Sequence, residues 1–442
     1  MEKTIVLEEY IKVHSRRKNL LRQYGTTFLF LGPFIIAFCL FFLYPLFYGI
    51  YISLTNFKYG SPGGETFNSF HWYKILFAPS TRAENLLFES FWRSFLHSFI
   101  FSIIMVPIAI LLPLGLAILV NMKPPGYKLF RALIYMPSIV PLTAAGSIFV
   151  LLFNPPAAHG LLYELFGVDT QWFIESMLKF KIGSFQVDVA YAWIPIFLMC
   201  LWGGWGGNFI ILSAGLQNVP KSLYEACSID SSSRWKKITN VTIPNIKGQL
   251  VLTLFTTIIG YLGLYGQNYV LGGPINTKIS SLPGGSKVST IIFFIQDIVA
   301  NNPNFKTKFY GLGAAASIVF AIFTAIISGI QMYCTRERKT GTKIGGLCKM
   351  VQGKTKITVE HYLGFQKKKE NYHFKFQTGK LVSFIILLAF CVLWVMPFII
   401  LVTGSLRGFY DVNNYPGEIF YPHSGYTLEA YKILLFGEYP EG

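Results

Sequence analysis

SFLHSFIFSIIMVPIAILLPLGLAILVNM, Ser94–Met122, runs 29 residues without one Asp, Glu, Lys or Arg. About 20 apolar residues suffice to cross a bilayer as a helix. Six more stretches are equally free of charge: Gln23–Phe57, Ala132–Tyr163, Val189–Pro220, Gly248–Thr277, Phe309–Thr335 and Leu381–Leu406. The pattern predicts seven membrane spans. The whole chain agrees, being 52% hydrophobic and only 13% charged over 442 residues, too apolar for an ordinary soluble protein. The expected fold class is all-α, a polytopic six-helix bundle with one additional C-terminal span.

Charge between the spans gives the orientation. With the N-terminus inside, segments 1–22, 123–131, 221–247 and 336–380 hold 26 of the 38 Lys and Arg but eight of the 21 acids. That leaves 12 basic and 13 acidic residues outside, so the net charge is +18 inside against −1 outside. This is the positive-inside asymmetry. The overall charge of +17 is therefore a topology signal that asks for no nucleic acid, and it favours anionic lipid headgroups. The expected location is the plasma (inner) membrane, with a cytoplasmic N-terminus and an extracytoplasmic C-terminal tail.

The chain divides into a basic cytoplasmic segment (1–25), a six-span block (26–338), a basic linker (339–380) with Lys367, Lys368 and Lys369 in a row, and a seventh span with its tail (381–442). The opening MEKTIVLEEYIKVHSRRKNLLRQYG is too charged before its first apolar run to read as a cleaved signal peptide. A lone span after a complete block is either an appended anchor or the start of a second block. Pro33, Pro45, Pro107, Pro113, Pro137, Pro141, Pro195 and Pro397 interrupt the spans. Such breaks are tolerated where neighbouring helices or water satisfy the freed backbone groups, as around a cavity. Cys39, Cys200, Cys227, Cys334, Cys348 and Cys391 form no CxxC pair, so neither a disulfide framework nor a metal site is expected.

Two segments carry candidate function. The inner loop YEACSIDSSSRWKKITNVTIPNIKG, Tyr224–Gly248, reads as a short helix exposing Glu225 and Asp230, then a turn bearing Trp235, Lys236 and Lys237. Pro244 suits the first turn of the returning helix, where its missing N–H costs nothing. Either this is a docking surface, or Trp235 is an interfacial anchor and the lysines are topology charges. On the fifth span, Thr253, Thr257, Tyr261, Tyr265 and Asn268 recur at helical steps within an arc of roughly 120°. On the fourth, Trp202, Trp205 and Asn208 stand among four glycines. Aromatic faces with nearby amides and hydroxyls suit a sugar on a substrate pathway; interhelical hydrogen bonding and tight packing account for the same residues without a ligand.

No GxxxxGK[ST] phosphate loop and no HExxH is present, and the spans hold no acid. The last point disfavours a proton-coupled carrier.

The stretch from Trp205 to Pro244, WGGNFIILSAGLQNVPKSLYEACSIDSSSRWKKITNVTIP, resembles the signature loop of binding-protein-dependent ABC importer permeases of the sugar-uptake group. Ala214, Gly215, Leu216, Pro220, Tyr224, Glu225, Ala226, Asp230, Trp235, Thr242 and Pro244 fall on its pattern. Tyr44, Pro45 and Ser53, Arg131 and Pro137, Asn154, Pro155, Gly160 and Leu161, Gly272 to Pro274, and Gly311 to Ala316 are similar to the same family, so the likeness covers nearly all of 20–338. Cys227 and Ser231 depart from it, standing where the family has alanine and glycine. At a left-handed turn a residue other than glycine costs roughly 1–2 kcal/mol.

The resemblance implies an ATPase-coupling loop of Glu225, Ala226, Asp230, Ser231, Trp235 and Pro244, with Glu225 making a charge contact to a cytoplasmic ATPase. It implies alternating access. It also implies a companion permease, two ATPase subunits that carry ATP and Mg, and an extracytoplasmic sugar-binding protein. The chain itself would bind no cofactor and perform no covalent chemistry. Leu381 to Tyr431, with Pro397, Ser405, Leu406, Arg407, Pro422 and TLEAY at Thr427–Tyr431, resembles the start of the companion permease. The alternatives are a secondary transporter or channel independent of ATP, and a membrane enzyme acting on lipid-linked sugars.

Overall fold

A computed structural model describes residues 24–57, 66–154, 160–173, 175–182, 185–230, 233–272, 287–301, 309–335, 378–414, 420 and 422–437. Pro155, Ser231, Gly273, Pro274, Cys348, Lys367 to Lys369, nearly all of the linker and residues 1–23 lie outside them.

The helices in order are α1 (Tyr24–Leu54), α2 (His71–Phe77), α3 (Arg82–Asn121), α4 (Tyr127–Tyr135), α5 (Leu142–Phe153) and α6 (Leu161–Phe166). They continue as α7 (Trp193–Gln217), α8 (Lys221–Asp230), α9 (Arg234–Lys237), α10 (Lys247–Leu262), α11 (Gly266–Gly272), α12 (Ile291–Gln296), α13 (Tyr310–Thr335), α14 (Thr378–Ser405), α15 (Phe409–Asn414) and α16 (Glu429–Phe436). Among the described residues six helices are long and apolar enough to cross a membrane. The third span makes seven: it is a bent pair, Tyr127–Ile139 and Leu142–Phe153, meeting at 93°. Pro141 stands at the break, where proline removes a backbone donor and fixes φ. Among the described residues the one element outside an all-helical scheme is a hairpin, β1 (Ser176–Ile182) antiparallel to β2 (Phe185–Ala190), between the third and fourth spans.

Two compact units result. The described part of the first comprises 24–57, 66–92, 294–301 and 309–322. Here α1 is almost wholly exposed, while α2 buries Ile75 and Leu76. Trp92 Nε1 on α3 donates to the Leu76 carbonyl at 2.9 Å, and Phe91 packs edge-on to Phe294. The Trp72 indole donates to the Thr55 carbonyl, and Gly311 leaves room for that indole where a Cβ would collide with it.

The described part of the second unit lies within 93–272, 287–293, 323–335, 378–414 and 420–437. Phe101, Met105, Ile134, Phe149, Ile196 and Phe209 are among its core. Glycine sets its tightest contacts: a Cβ on Gly206 would overlap Ser138, and one on Gly146 would overlap Val270. The seventh span, α14, packs in this unit against α4 and α5. Leu387, Cys391, Trp394 and Ile400 are its buried face. Val288, Ser289 and Thr290, on the non-helical approach to α12, and Ile291, its first residue, are also fully buried. Polar side chains satisfy that segment. Ser94 Oγ donates to Ser289 Oγ at 2.8 Å, and Ser98 Oγ accepts from the Ile291 N–H. Asn268 Nδ2 donates to the Val288 carbonyl, and Thr290 Oγ1 to that of Leu264. Irregular backbone at such depth survives only where protein supplies its partners.

Candidate functional sites: a cavity at three broken spans and a basic loop

Three spans are interrupted, and the interruptions border one cavity. The third breaks before Leu142, the fourth at Gly204 and Trp205, and the fifth between Leu262 and Gly266. Leu142, Gly204 and Gly263 to Gly266 all line a cavity of about 420 Å³. That lies within the roughly 300–1,000 Å³ usual for small-molecule sites. Its polar wall consists of Asn208, Thr256, Thr257, Tyr261, Tyr265 and Gln267, all uncharged.

Each polar residue has an assignable state. Asn208 Nδ2 donates to Thr257 Oγ1 at 2.8 Å and to the Ala109 carbonyl at 2.9 Å. The helical partner of that carbonyl would be the N–H of residue 113, which is proline. Asn208 thus closes a gap that Pro113 opens in the second span, and ties three spans together. Both amide hydrogens are spent, leaving its side-chain oxygen as its remaining polar atom. Tyr261 is 8% exposed, and its hydroxyl has no hydrogen-bond partner among the described residues. An unmet buried hydroxyl costs about 1–3 kcal/mol, which a bound hydroxyl or water recovers. Gly204 stands opposite: a Cβ there would lie 2.5 Å from the Cys200 carbonyl oxygen and 3.0 Å from that hydroxyl.

The structure separates the sequence-predicted pathway residues. Asn208, Thr257, Tyr261 and Tyr265 come together at the cavity. Trp202 and Trp205 do not border it. Trp202 Nε1 donates to the Trp394 carbonyl at 2.9 Å, in the turn before Pro397, and Trp205 packs on Phe390 and Trp394. Asn268 is wholly buried in holding Val288, and Thr253 bonds back to its own helix at Gln249. Thr256 and Gln267 line the wall although they lie off the predicted stripe. The break at Gly263 explains Gln267, because helical periodicity does not carry across a non-helical stretch, whereas Thr256 stands beside Thr257 on α10.

The inner loop forms α8, then α9 leading through wide turns to a short helix, Ile243–Asn245, with Pro244 in its first turn. The Tyr224 hydroxyl lies 3.0 Å from Thr242 Oγ1 and closes the loop on itself. Glu225, Ala226 and Pro244 are exposed. So are two large apolar side chains, Ile229 at 87% and Trp235 at 71%. Ile229 follows Glu225 by one helical turn and shares its face. The family pattern carries no signal for Ile229; only its exposure shows it. Asp230 ends α8, and Ser231 lies outside the described residues.

Residues 75–339 match the family described as binding-protein-dependent transport system inner membrane component. The arabinooligosaccharides transport system permease protein AraP of Bacillus subtilis is 29% identical over 309 residues, covering 69% of this chain and 87% of its own length. The lactose transport system permease protein LacF of Rhizobium radiobacter is 28% identical over 331 residues, covering 73% and 98%. A solved bacterial ABC transporter involved in import of the acidic polysaccharide alginate shares the fold, with a TM-score of 0.54 at 18% identity, covering 73% of this chain and 99% of that one.

Proposed function

Because the chain belongs to the family of binding-protein-dependent transport system inner membrane components, we propose that a sugar or related polyol crosses the membrane through its cavity at the three broken spans. The observation that carries this is the coincidence of the breaks around an uncharged, hydrogen-bonding wall. Relatives named for arabinooligosaccharide and lactose transport support the solute class. Asn208 offers a carbonyl oxygen, Tyr261 an unmet hydroxyl, and Thr257 and Tyr265 further hydroxyls, a set matched to a neutral polyhydroxy compound.

Transport is driven from the cytoplasm. Glu225, Ala226, Asp230, Ser231, Trp235 and Pro244 form the element that docks in a groove of an ATPase subunit, with Glu225 against a basic residue and Ile229 supplying apolar contact. Two such ATPases carry the ATP and Mg, and their closure switches the cavity between the two sides by largely rigid-body motion. A companion permease completes the pathway, an extracytoplasmic sugar-binding protein delivers the solute, and lipids surround the spans. A solved relative in complex with an alginate pentasaccharide-bound periplasmic protein supports the last delivery step. The charge asymmetry supports a cytoplasmic N-terminus and an extracytoplasmic C-terminal tail.

Reconstitution with the companion permease, ATPases and binding protein tests the reading. Sugar uptake should require ATP on the ATPase side. Glu225→Ala should abolish it while the protein stays folded and inserted; unchanged uptake overturns the coupling role. Gly204→Val, which presses on the Tyr261 hydroxyl, should abolish uptake with ATPase binding intact.

A further inference from the structure

Within the second unit, residues 288–291 connect two spans without belonging to either. On one side α3 holds them: Ser94 Oγ donates to Ser289 Oγ at 2.8 Å, His97 Nδ1 lies 3.0 Å from the Ser289 carbonyl oxygen, and the Ile291 N–H donates to Ser98 Oγ at 2.9 Å. On the other side they hold the fifth span. Thr290 Oγ1 donates to the Leu264 carbonyl at 2.6 Å, and the Val288 carbonyl accepts from Asn268 Nδ2 at 2.6 Å. Leu264 lies within the break between α10 and α11, and Asn268 in the first turn of α11. Ser94, Ser98, Asn268, Ser289 and Thr290 are each at most 1% exposed. Hydrogen bonds so far from water are stronger than their exposed counterparts.

The fifth span is thereby moored to α3 at two levels. Before the break, Asn208 ties Thr257 to the Ala109 carbonyl. At the break, Thr290 ties Leu264 through the 288–291 segment to Ser94 and Ser98. The second tie supplies what the helix cannot, because carbonyls at a helix end lose their partners in the ladder. Leu264, Tyr265 and Gln267 all line the cavity, and the Tyr265 ring also meets that of Phe293 on α12 at 6.2 Å. The wall beyond the break thus leans on one continuous stretch of chain.

We infer that Thr290 is a positioning residue for the solute: by holding the Leu264 carbonyl it fixes the break in the shape that presents Tyr265 and Gln267 to the cavity. Thr290 does not line the cavity itself, and residues 288–291 act as a strap between α3 and the solute wall. This rests on the proposed passage of a sugar through the cavity and adds the residue that sets the cavity's shape.

Site-directed labelling tests it in the full chain carrying Gln267→Cys, reconstituted with the companion permease and ATPases. A membrane-impermeant maleimide is the probe, and peptide mass spectrometry reads each cysteine separately. Thr290→Val keeps the branched shape and removes the hydroxyl. It should raise the labelling rate at position 267 at least fivefold while the buried Cys200 stays unlabelled, and Thr290→Ser, which keeps the hydroxyl, should retain the parent rate. Lactose, the probe sugar, should protect position 267 only at concentrations at least fivefold higher in Thr290→Val than in the parent. An unchanged rate in Thr290→Val, or a Thr290→Ser that labels as fast as Thr290→Val, overturns the positioning role and leaves the proposed function standing. If Thr290→Val exposes Cys200, the fold is lost, and Asn268→Leu, which frees the strap at Val288, faces the same outcomes. Labelling that responds to Thr290→Val, with neither lactose nor an arabinose oligosaccharide protecting position 267 or being taken up, leaves the strap standing and overturns the proposed function.

Discussion

The first and seventh spans carry the same hook in opposite surroundings. Ser53 Oγ lies 2.9 Å from the Tyr73 hydroxyl and Ser405 Oγ 2.9 Å from the Tyr431 hydroxyl, so each span end takes back a short helix bearing Tyr-Lys-Ile-Leu, at 73–76 and 431–434. In the first copy the span is bare, with Phe30 and Phe41 among its exposed residues, while the hook is buried under α3. In the second the span buries Leu387 and Cys391, with Phe384 against Phe130 and Trp394 against Trp205, while Leu434, Leu435 and Phe436 are exposed. Local chemistry is nearly constant between them; burial is not. Serine–tyrosine closure of the hook is therefore a property of the segment, and what the segment rests on is a property of its neighbours.

The largest effect that separates the copies should come from a charge on the hook. Leu76→Asp places an unpaired carboxylate in a fully buried site, a loss on the order of 4 kcal/mol, whereas Leu434→Asp in the chain alone should stay within about 0.5 kcal/mol. Thermal unfolding in detergent reads both; equal losses would break the comparison. Next come the spans: Leu387→Ala should cost about 2 kcal/mol through lost packing, and Phe41→Ala almost nothing. Tyr73→Phe and Tyr431→Phe each remove one hydrogen bond, so both should lose about 0.5–1.5 kcal/mol, and a large inequality would show that the hooks are not equivalent.

The smallest difference is in acid. Among the described residues only the second hook contains a carboxylate tie: Asp411 accepts from the Ser424 hydroxyl and backbone N–H, and Arg407 donates to the Asp411 carbonyl. The Ser424 hydroxyl bond above all holds the Asp411 carboxyl below its ordinary range, against the opposing pull of desolvation. Its contribution is thus present above the unfolded value of about 4 and is lost as pH falls through the lowered folded value. Limited proteolysis below pH 4 should release residues 406–437 before 55–77, and Asp411→Asn should remove that difference.

Much of the architecture was legible in the sequence because membrane insertion reads segments one at a time. Seven charge-free stretches and the loop charges gave the spans and the expected orientation, but eight prolines did not single out the break at Pro141, since Pro107, Pro113 and Pro397 lie inside continuous helices. The cavity was only partly legible. A helical stripe found Thr257, Tyr261 and Tyr265, but it also gathered Asn268, whose buried amide serves Val288, and it missed Gln267 beyond the break. Trp202 and Trp205 carried the composition of a sugar platform, yet their rings belong to the packing of the seventh span. The repeated hook was visible as two Tyr-Lys-Ile-Leu segments, but the serine-to-tyrosine spacing of 20 residues in one copy and 26 in the other hides it from fixed-period reading.

The sequence by itself determined the family, the number of spans and the position of the inner loop, since hydropathy, charge and motif spacing are carried by contiguous residues. Only the tertiary structure decided that three breaks meet at one cavity and which hook is covered. Those outcomes depend on pairs such as Asn208 with Ala109, 99 residues apart, where one span's missing donor is another span's hydrogen-bond partner.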